Sequence, residues 1–242
     1  MNNRISELEK HFLKIKLNSE TIDVFVPRTA ILDAVKKSLY IFKGTLLDVG
    51  CGQMPYRELI LKENNLVEKY IGLDLASSSV HNTDIADLHW DAHTIPLENE
   101  SVDSAMATEV LEHSFNPTDT LKEICRVLKP NGTFFFTVPF IWPLHETPYD
   151  AYRYTPFSLR MHLEKAGFNN IKIESLGGWH ASFAQMMGIW VKESNLSGWK
   201  KKIALKISKF FIPYLIKNDL RDNNFGQHCM ITGLYGTATK NK

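Results

Sequence analysis

From Gly44 onward, short apolar runs alternate with stretches in which apolar residues recur every three or four positions. That alternation is the pattern of a parallel sheet wrapped by helices. The spacing predicts strands over Thr45 to Val49, Tyr70 to Leu75, Val102 to Ala107, Thr133 to Pro139, Ile171 to Leu176 and Cys229 to Thr237. It predicts helices over Tyr56 to Glu63, Thr118 to Leu128 and Ser158 to Ala166. The second of these stops at Lys129-Pro130-Asn131-Gly132, where proline and glycine turn the chain, and Gly167 closes the third. Upstream, Ile5, Leu8, Phe12 and Ile15 stand at helical spacing within Ile5 to Leu17, as do Ile31, Leu32, Val35, Leu39 and Phe42 within Ala30 to Phe42. Residues 1–43 therefore read as a helical segment and 44–242 as one α/β domain, with a helical insertion at about 178–225.

The insertion has two parts. Trp179 to Val191 carries His180, Phe183, Met186, Met187 and Trp190, a stripe that reads first as core and otherwise as a cover over a substrate. Gly198 to Lys217 combines six lysines with Ile203, Leu205, Ile207, Phe210, Phe211 and Leu215. Such a stretch is read first as a solvated face over a packed core, with peripheral contact to an anionic membrane or a partner as the alternative.

Chemistry gathers where the strands stop. Thr45-Leu46-Leu47-Asp48-Val49-Gly50-Cys51-Gly52 is a buried strand that ends in a tight turn, and its two glycines let a ligand lie against the main chain. Asp48 can accept hydrogen bonds there. A second acidic strand end, Asp74, stands where an acid of a doubly wound sheet bonds both hydroxyls of a ribose. Together they favour an adenosine-like ligand over a turn that binds nothing. The third glycine of a dinucleotide fingerprint is missing, which disfavours a nicotinamide dehydrogenase.

Leu47-Asp48-Val49-Gly50-Cys51-Gly52, Gly72-Leu73-Asp74, Val110-Leu111-Glu112-His113 and Arg126-Val127-Leu128-Lys129-Pro130-Asn131-Gly132 resemble, in that order, the motifs of class I S-adenosylmethionine-dependent methyltransferases. The likeness spans about Gly44 to Glu174; it departs from the family at Gln53 to Arg57, where many relatives carry another glycine, and at Asn131, where glycine is usual. It implies a Rossmann-like, doubly wound seven-stranded α/β sheet with helices on both faces and the last strand antiparallel. It also implies S-adenosyl-L-methionine as cofactor, bound by Asp48, Gly50, Cys51, Gly52, Asp74 and Leu75, with Asp91 at the adenine amino group, Ala92 beside the ring and Glu109 lining the pocket. Asp84 and Asp87 compete with Asp91, whose plainer reading is a solvated loop acid. Glu112 and His113 invite a catalytic or metal reading, but neighbours on a helix point apart, and the family uses this pair to shape the loop.

Methyl transfer is an in-line displacement, so the protein mainly aligns the reactants and excludes water. A hydroxyl acceptor must also lose its proton, for which histidine is suited. The segment after the strand at Thr133 to Pro139, running from Pro139 to Thr155, holds His145, Glu146, Asp150 and Arg153 among tyrosines and prolines. It resembles the His-Glu-x-Pro-x-Asp-x-x-Arg-Tyr-Thr segment of a methyltransferase branch associated with glycan and secondary biosynthesis. His145 is expected as the general base, with Glu146, Asp150 and Arg153 as orienting groups. In the plainer reading Asp150 and Arg153 only staple the loop. No partner histidine follows at zinc spacing, so no metal is expected, a loop-bound magnesium being the alternative. The expected activity is O-methylation of a saccharide or similar polar metabolite; the alternatives are N- or C-methylation of another small molecule, or a cofactor-binding regulatory module without catalysis.

Composition adds bounds. A chain of 242 residues, 44% hydrophobic, can bury a full core. Its formal charge of +1 gives no nucleic-acid footprint. Cys51, Cys125 and Cys229 have no metal-ligand spacing and read as reduced thiols. Met1 to Lys10 lacks the apolar core of a signal peptide, and no apolar run approaches the ~18 residues of a membrane span. A soluble cytoplasmic protein is expected, with a homo-oligomer left open.

Overall fold

The protein is described from a computed structural model that covers residues 8–76 and 85–241. Its contacts divide the chain into two units, one formed by Val35–Glu174 with Leu234–Lys242, the other by Met1–Ala34 with Ser175–Gly233. The units part at Ala34/Val35, upstream of the 43/44 boundary expected from the pattern, and the insertion shares a unit with the N-terminal residues.

The first unit holds most of a seven-stranded sheet. Its strands are β1 (Gly44–Val49), β2 (Val67–Leu75), β3 (Leu88–Trp90), β4 (Val102–Thr108), β5 (Leu128–Pro139), β6 (Phe168–Ser175) and β7 (Gly233–Lys240), in the order β3-β2-β1-β4-β5-β7-β6. The pairs from β3 to β5 are parallel, with Asp48 of β1 beside Gly72 on one side and Met106 on the other. Thr239 hydrogen-bonds Asn169, and a Cβ on Gly236 would strike Lys172, so β7 runs antiparallel to β6. Leu46, Leu47, Phe134, Phe135 and Phe136 are fully buried. A sheet covered on both faces tolerates continuous apolar runs of this kind. The order reverses between β1 and β4, and crevices open at the carboxyl ends of strands at such a switch point.

Several boundaries differ from the sequence pattern. The helix expected over Ala30 to Phe42 is α1, Phe25–Lys37. Pro27 sits in its first turn, where a missing N–H has no partner to lose. A single 3₁₀ turn, Leu39–Ile41, follows. Upstream, among the described residues, the helical turn is Glu9–Leu13, so the amphipathic helix expected over Ile5 to Leu17 does not reach Leu17; residues 5–7 lie outside the described residues. After α2 (Arg57–Glu63) and β4, helix α3 (Pro117–Val127) passes directly into β5. The expected turn at Lys129 to Gly132 is instead a bulge, where pairing skips from Val102–Leu128 to Ser104–Thr133 and Asn131 takes φ 60°. Helix α4 (Pro156–Lys165) starts two residues early because Thr155 and Ser158 form a capping box. β3 was not marked by the pattern, and β7 begins at Gly233 rather than Cys229.

In the second unit, α5 (Trp179–Glu193) and α6 (Gly198–Lys217) pack around Ile22, Val26, Ala184, Val191, Ile212 and Leu215. Among the described residues no helix is long and apolar enough to cross a membrane. All three cysteines are free.

Candidate active site

At the end of β1, Gly50 and Gly52 take φ 65° and 49°, the left-handed region that a side chain resists. A Cβ on Gly50 would also lie 2.5 Å from Val110 Cγ2. The turn is fastened from two sides: Cys51 N–H donates to Leu73 O at 3.0 Å, and Gly52 N–H donates to Asp74 Oδ2 at 3.1 Å. Asp74 Oδ1 accepts from Leu75 N–H at 2.8 Å. Each carboxylate oxygen keeps acceptor capacity beyond these amides. Asp48 is 2% exposed and accepts from the Tyr70 hydroxyl at 2.5 Å through Oδ2, while Oδ1 is buried without a partner. Burial pushes the Asp48 carboxyl up to about 7, the Tyr70 hydrogen bond opposing it and the Asp74 charge adding to it. An orphaned buried acceptor beside a glycine turn and a strand-end carboxylate fits the aminoacyl and ribose hydroxyl groups of S-adenosylmethionine.

Two expected cofactor residues lie at the end of β3. Asp91 Oδ1 accepts from His93 N–H at 2.8 Å and Thr94 N–H at 2.9 Å, and Ala92 takes φ 64°. These amides hold the exposed Asp91 carboxyl below its usual range. Of its competitors, Asp87 accepts from Gly72 N–H at 2.8 Å, and Asp84 lies outside the described residues.

A second cluster of charged side chains forms where β4 and β5 end. Glu109, at φ 55°, receives the Thr137 hydroxyl on Oε1 at 2.8 Å; burial raises its carboxyl, with the Thr137 bond and the Arg153 charge opposing. Glu112 has no exposed surface, and neither carboxylate oxygen has a hydrogen-bond partner. Burial, and then the charge of Glu109, drive it toward its neutral form. The chain makes a 3₁₀ turn over Leu111–His113 rather than an α-helix. Neighbours in a 3₁₀ turn leave the axis about 120° apart, yet the side chains bend toward each other, and His113 Nε2 sits 3.8 Å from Glu112 Oε1. Burial also lowers the His113 pKa.

The loop after β5 returns over this turn. Ala151 and Tyr152 donate N–H to Glu112 O at 2.9 and 3.1 Å, and the buried Tyr154 hydroxyl donates to Leu111 O at 2.7 Å. This docking sets the His145 ring 4.8 Å from that of His113, edge to face. Asp150 Oδ2 accepts the His145 amide at 3.2 Å, and His145 Nδ1 lies 3.2 Å from the same oxygen without hydrogen-bonding to it. Arg153 grips the same carboxylate with two N–H groups, at 2.5 and 2.8 Å, and holds Asp150 down to about 2. Its other donations go to backbone carbonyls of Tyr152, Trp142 and Pro143. Arg153 is thus a positioning residue that fixes the loop. Glu146, at φ 48°, lies 4.0 Å from His113 Nε2.

His145, Glu146, Asp150, Arg153 and Glu109 therefore come together at the β4 and β5 ends, and Asp48, Gly50, Cys51, Gly52 and Asp74 at the β1 and β2 ends. Leu75 lies partly exposed just beyond Asp74, and Asp91 and Ala92 stand one strand further out. The sequence pattern alone favours a loop-shaping role for Glu112 and His113. With His145 they place one donor atom each within 4.8 Å of the others. Their position just beyond a strand's carboxyl end was the available signal.

Residues 47–136 match the family model described as a methyltransferase domain. A probable S-adenosylmethionine-dependent methyltransferase of Mycolicibacterium smegmatis is 28% identical over 150 residues, 57% of this chain and 56% of that protein. A demethylmenaquinone methyltransferase of Staphylococcus haemolyticus is 26% identical over 60% of this chain and 77% of its own length. Among solved structures, a possible histamine N-methyltransferase from Thermotoga maritima superposes with TM-score 0.57 at 17% identity, covering 99% of this chain and 97% of that one. The chain spans 29%, 38% and 56% of the length of three curated relatives that it matches.

Proposed function

We propose, from the class I S-adenosylmethionine-dependent methyltransferase domain that includes residues 47–136, that this chain methylates a hydroxyl of a saccharide or similar polar small metabolite. The observation that carries the reading is the His145–Asp150–Arg153 arrangement. Asp150, held by a bidentate guanidinium, lies 3.2 Å from His145 Nδ1, which has no hydrogen-bond partner; turning the ring to close that bond would leave Nε2 to take the proton of an acceptor hydroxyl. Bound S-adenosylmethionine supplies the electrophilic methyl group. Asp48, Gly50, Gly52 and Asp74 hold that cofactor, and Glu109 borders it. Phe115, Tyr149 and Tyr152, all exposed and in edge contact or hydrogen-bonded across the loop, offer ring faces to a sugar. Incubating the protein with methyl-labelled donor and a panel of saccharides, nucleotide sugars, amines and quinols tests the reading. Label on a saccharide hydroxyl supports it; label only on nitrogen or carbon overturns it.

A second reading rests on the orphaned Glu112. Two imidazoles and a carboxylate are the donor set of a divalent transition ion, and in that case His145 is a ligand rather than a base. At bonds of ~2.1 Å the donors of such a site stand roughly 3.4 Å apart, so the three side chains would close on the ion. Metal analysis of purified protein, with activity before and after chelation, separates the readings. Full activity without metal retains His145 as base.

A further inference from the structure

Helices α5 and α6 expose large apolar side chains in ordered stripes. At about 100° per residue, Trp179, Phe183, Met186 and Trp190 of α5 fall within one narrow arc, opposite the buried Ala184 and Gly188. On α6, Trp199, Ile203, Ile207, Phe210 and Tyr214 form a second arc, away from the buried Ala204, Ser208, Ile212 and Leu215. Each of these nine side chains is roughly half-exposed or more. The stripes meet in an open groove lined by Trp190 of α5 and by Trp199, Ile203 and Ile207 of α6. Apolar surface arranged in this way marks an interaction site rather than scattered exposure.

Charge selects the occupant. By the same helical geometry Lys202, Lys206, Lys209 and Lys217 line one edge of the α6 stripe and Lys200 the other, and α6 contains no acidic residue. A second copy of the chain docking through this face would set lysines against lysines. An anionic surface with an apolar layer beneath it satisfies both features. We propose that this face of α5 and α6 docks on an anionic lipid bilayer, with the Trp, Phe and Tyr rings at the headgroup boundary and the lysines on lipid phosphates. The contact is peripheral, since no described helix is apolar and long enough to span. It is independent of the methyl acceptor.

The test is flotation of the full chain with vesicles of phosphatidylcholine alone and of phosphatidylcholine mixed with phosphatidylglycerol. Partition into the mixed vesicles is expected to exceed that into neutral ones by ~10-fold or more, and to fall steeply at high salt. The double variant Trp199→Glu/Phe210→Glu should lose ~10-fold or more of the binding. Should that variant fail to fold by circular dichroism, Lys202→Glu/Lys206→Glu makes the same test on the charged edge. No flotation with mixed vesicles, equal flotation with both, or variants that bind as the parent does would overturn the proposal. So would a dimer that Trp199→Glu/Phe210→Glu dissolves, which would assign the face to a second copy.

Discussion

The Gly52 amide donates to Asp74 Oδ2 at 3.1 Å, tying the turn after β1 to the end of β2. One carboxylate thereby shapes the glycine turn and, in the proposed reading, keeps acceptor capacity for ribose hydroxyls. Asp74→Ala removes both functions, whereas Asp91→Ala removes an exposed acid bonded within its own turn. Isothermal titration with S-adenosylhomocysteine should show a loss of about 2 kcal/mol for Asp74→Ala, ~30-fold in Kd, and a smaller loss for Asp91→Ala. The reverse ranking would move the main polar anchor to the adenine end.

Asp48 gives stability a pH dependence. Its folded-state pKa of about 7 lies above the ordinary 3.8, mainly through burial. Between those values the folded chain holds a proton that the unfolded chain has released, so this group's contribution falls as pH rises through the window. The Tyr70 hydroxyl limits that fall by favouring the charged form. Tyr70→Phe should therefore cost about 1.5 kcal/mol more at pH 8 than at pH 5, read from urea denaturation at the two values. Equal losses would mean that the Tyr70 bond does not discriminate between the two forms of Asp48.

His145→Ala should lower kcat by ~10²-fold or more and leave the Kd for S-adenosylhomocysteine nearly unchanged, because in the proposed reading the imidazole serves the acceptor and not the cofactor. Asp150→Asn keeps the shape of the loop but removes the charge that Arg153 and His145 share. It should reduce kcat by a smaller factor, with some loss of thermal stability. Unchanged turnover in His145→Ala would remove this residue from the reaction.

Gly50→Ala combines an unfavourable φ of 65° with a collision against Val110. A cost of roughly 2 kcal/mol or more is expected from the two together. Adding Val110→Ala relieves the collision but not the backbone strain. Thermal melts should then show partial recovery of stability, with cofactor binding still impaired. Complete recovery would mean that the backbone accepts a side chain there at no cost.

Much of the sheet was legible because its signals are local. A run such as Phe134 to Val138, short, rich in β-favouring residues and bounded by Gly132 and Pro139, reads as a strand buried on both faces, and Gly50 and Gly52 mark a turn. Boundaries were less legible where two local signals competed. Pro130 and Gly132 read as a stop, but pairing with β4 carried the strand through them as a bulge. The helix expected from Ala30 begins at Phe25, because Pro27 in the first turn costs nothing.

By itself the chain determined which backbone turns can lie against a ligand and which acids end the strands, since both depend on residues a few positions apart. Only the tertiary structure decided the company each acid keeps. Asp48 meets Tyr70, Asp150 is gripped by Arg153 and faces His145, and Glu112 is sealed beside two imidazoles because the loop after β5 folds back onto the turn after β4. Hydrogen bonding and desolvation depend on distance and burial, which no spacing in the sequence encodes.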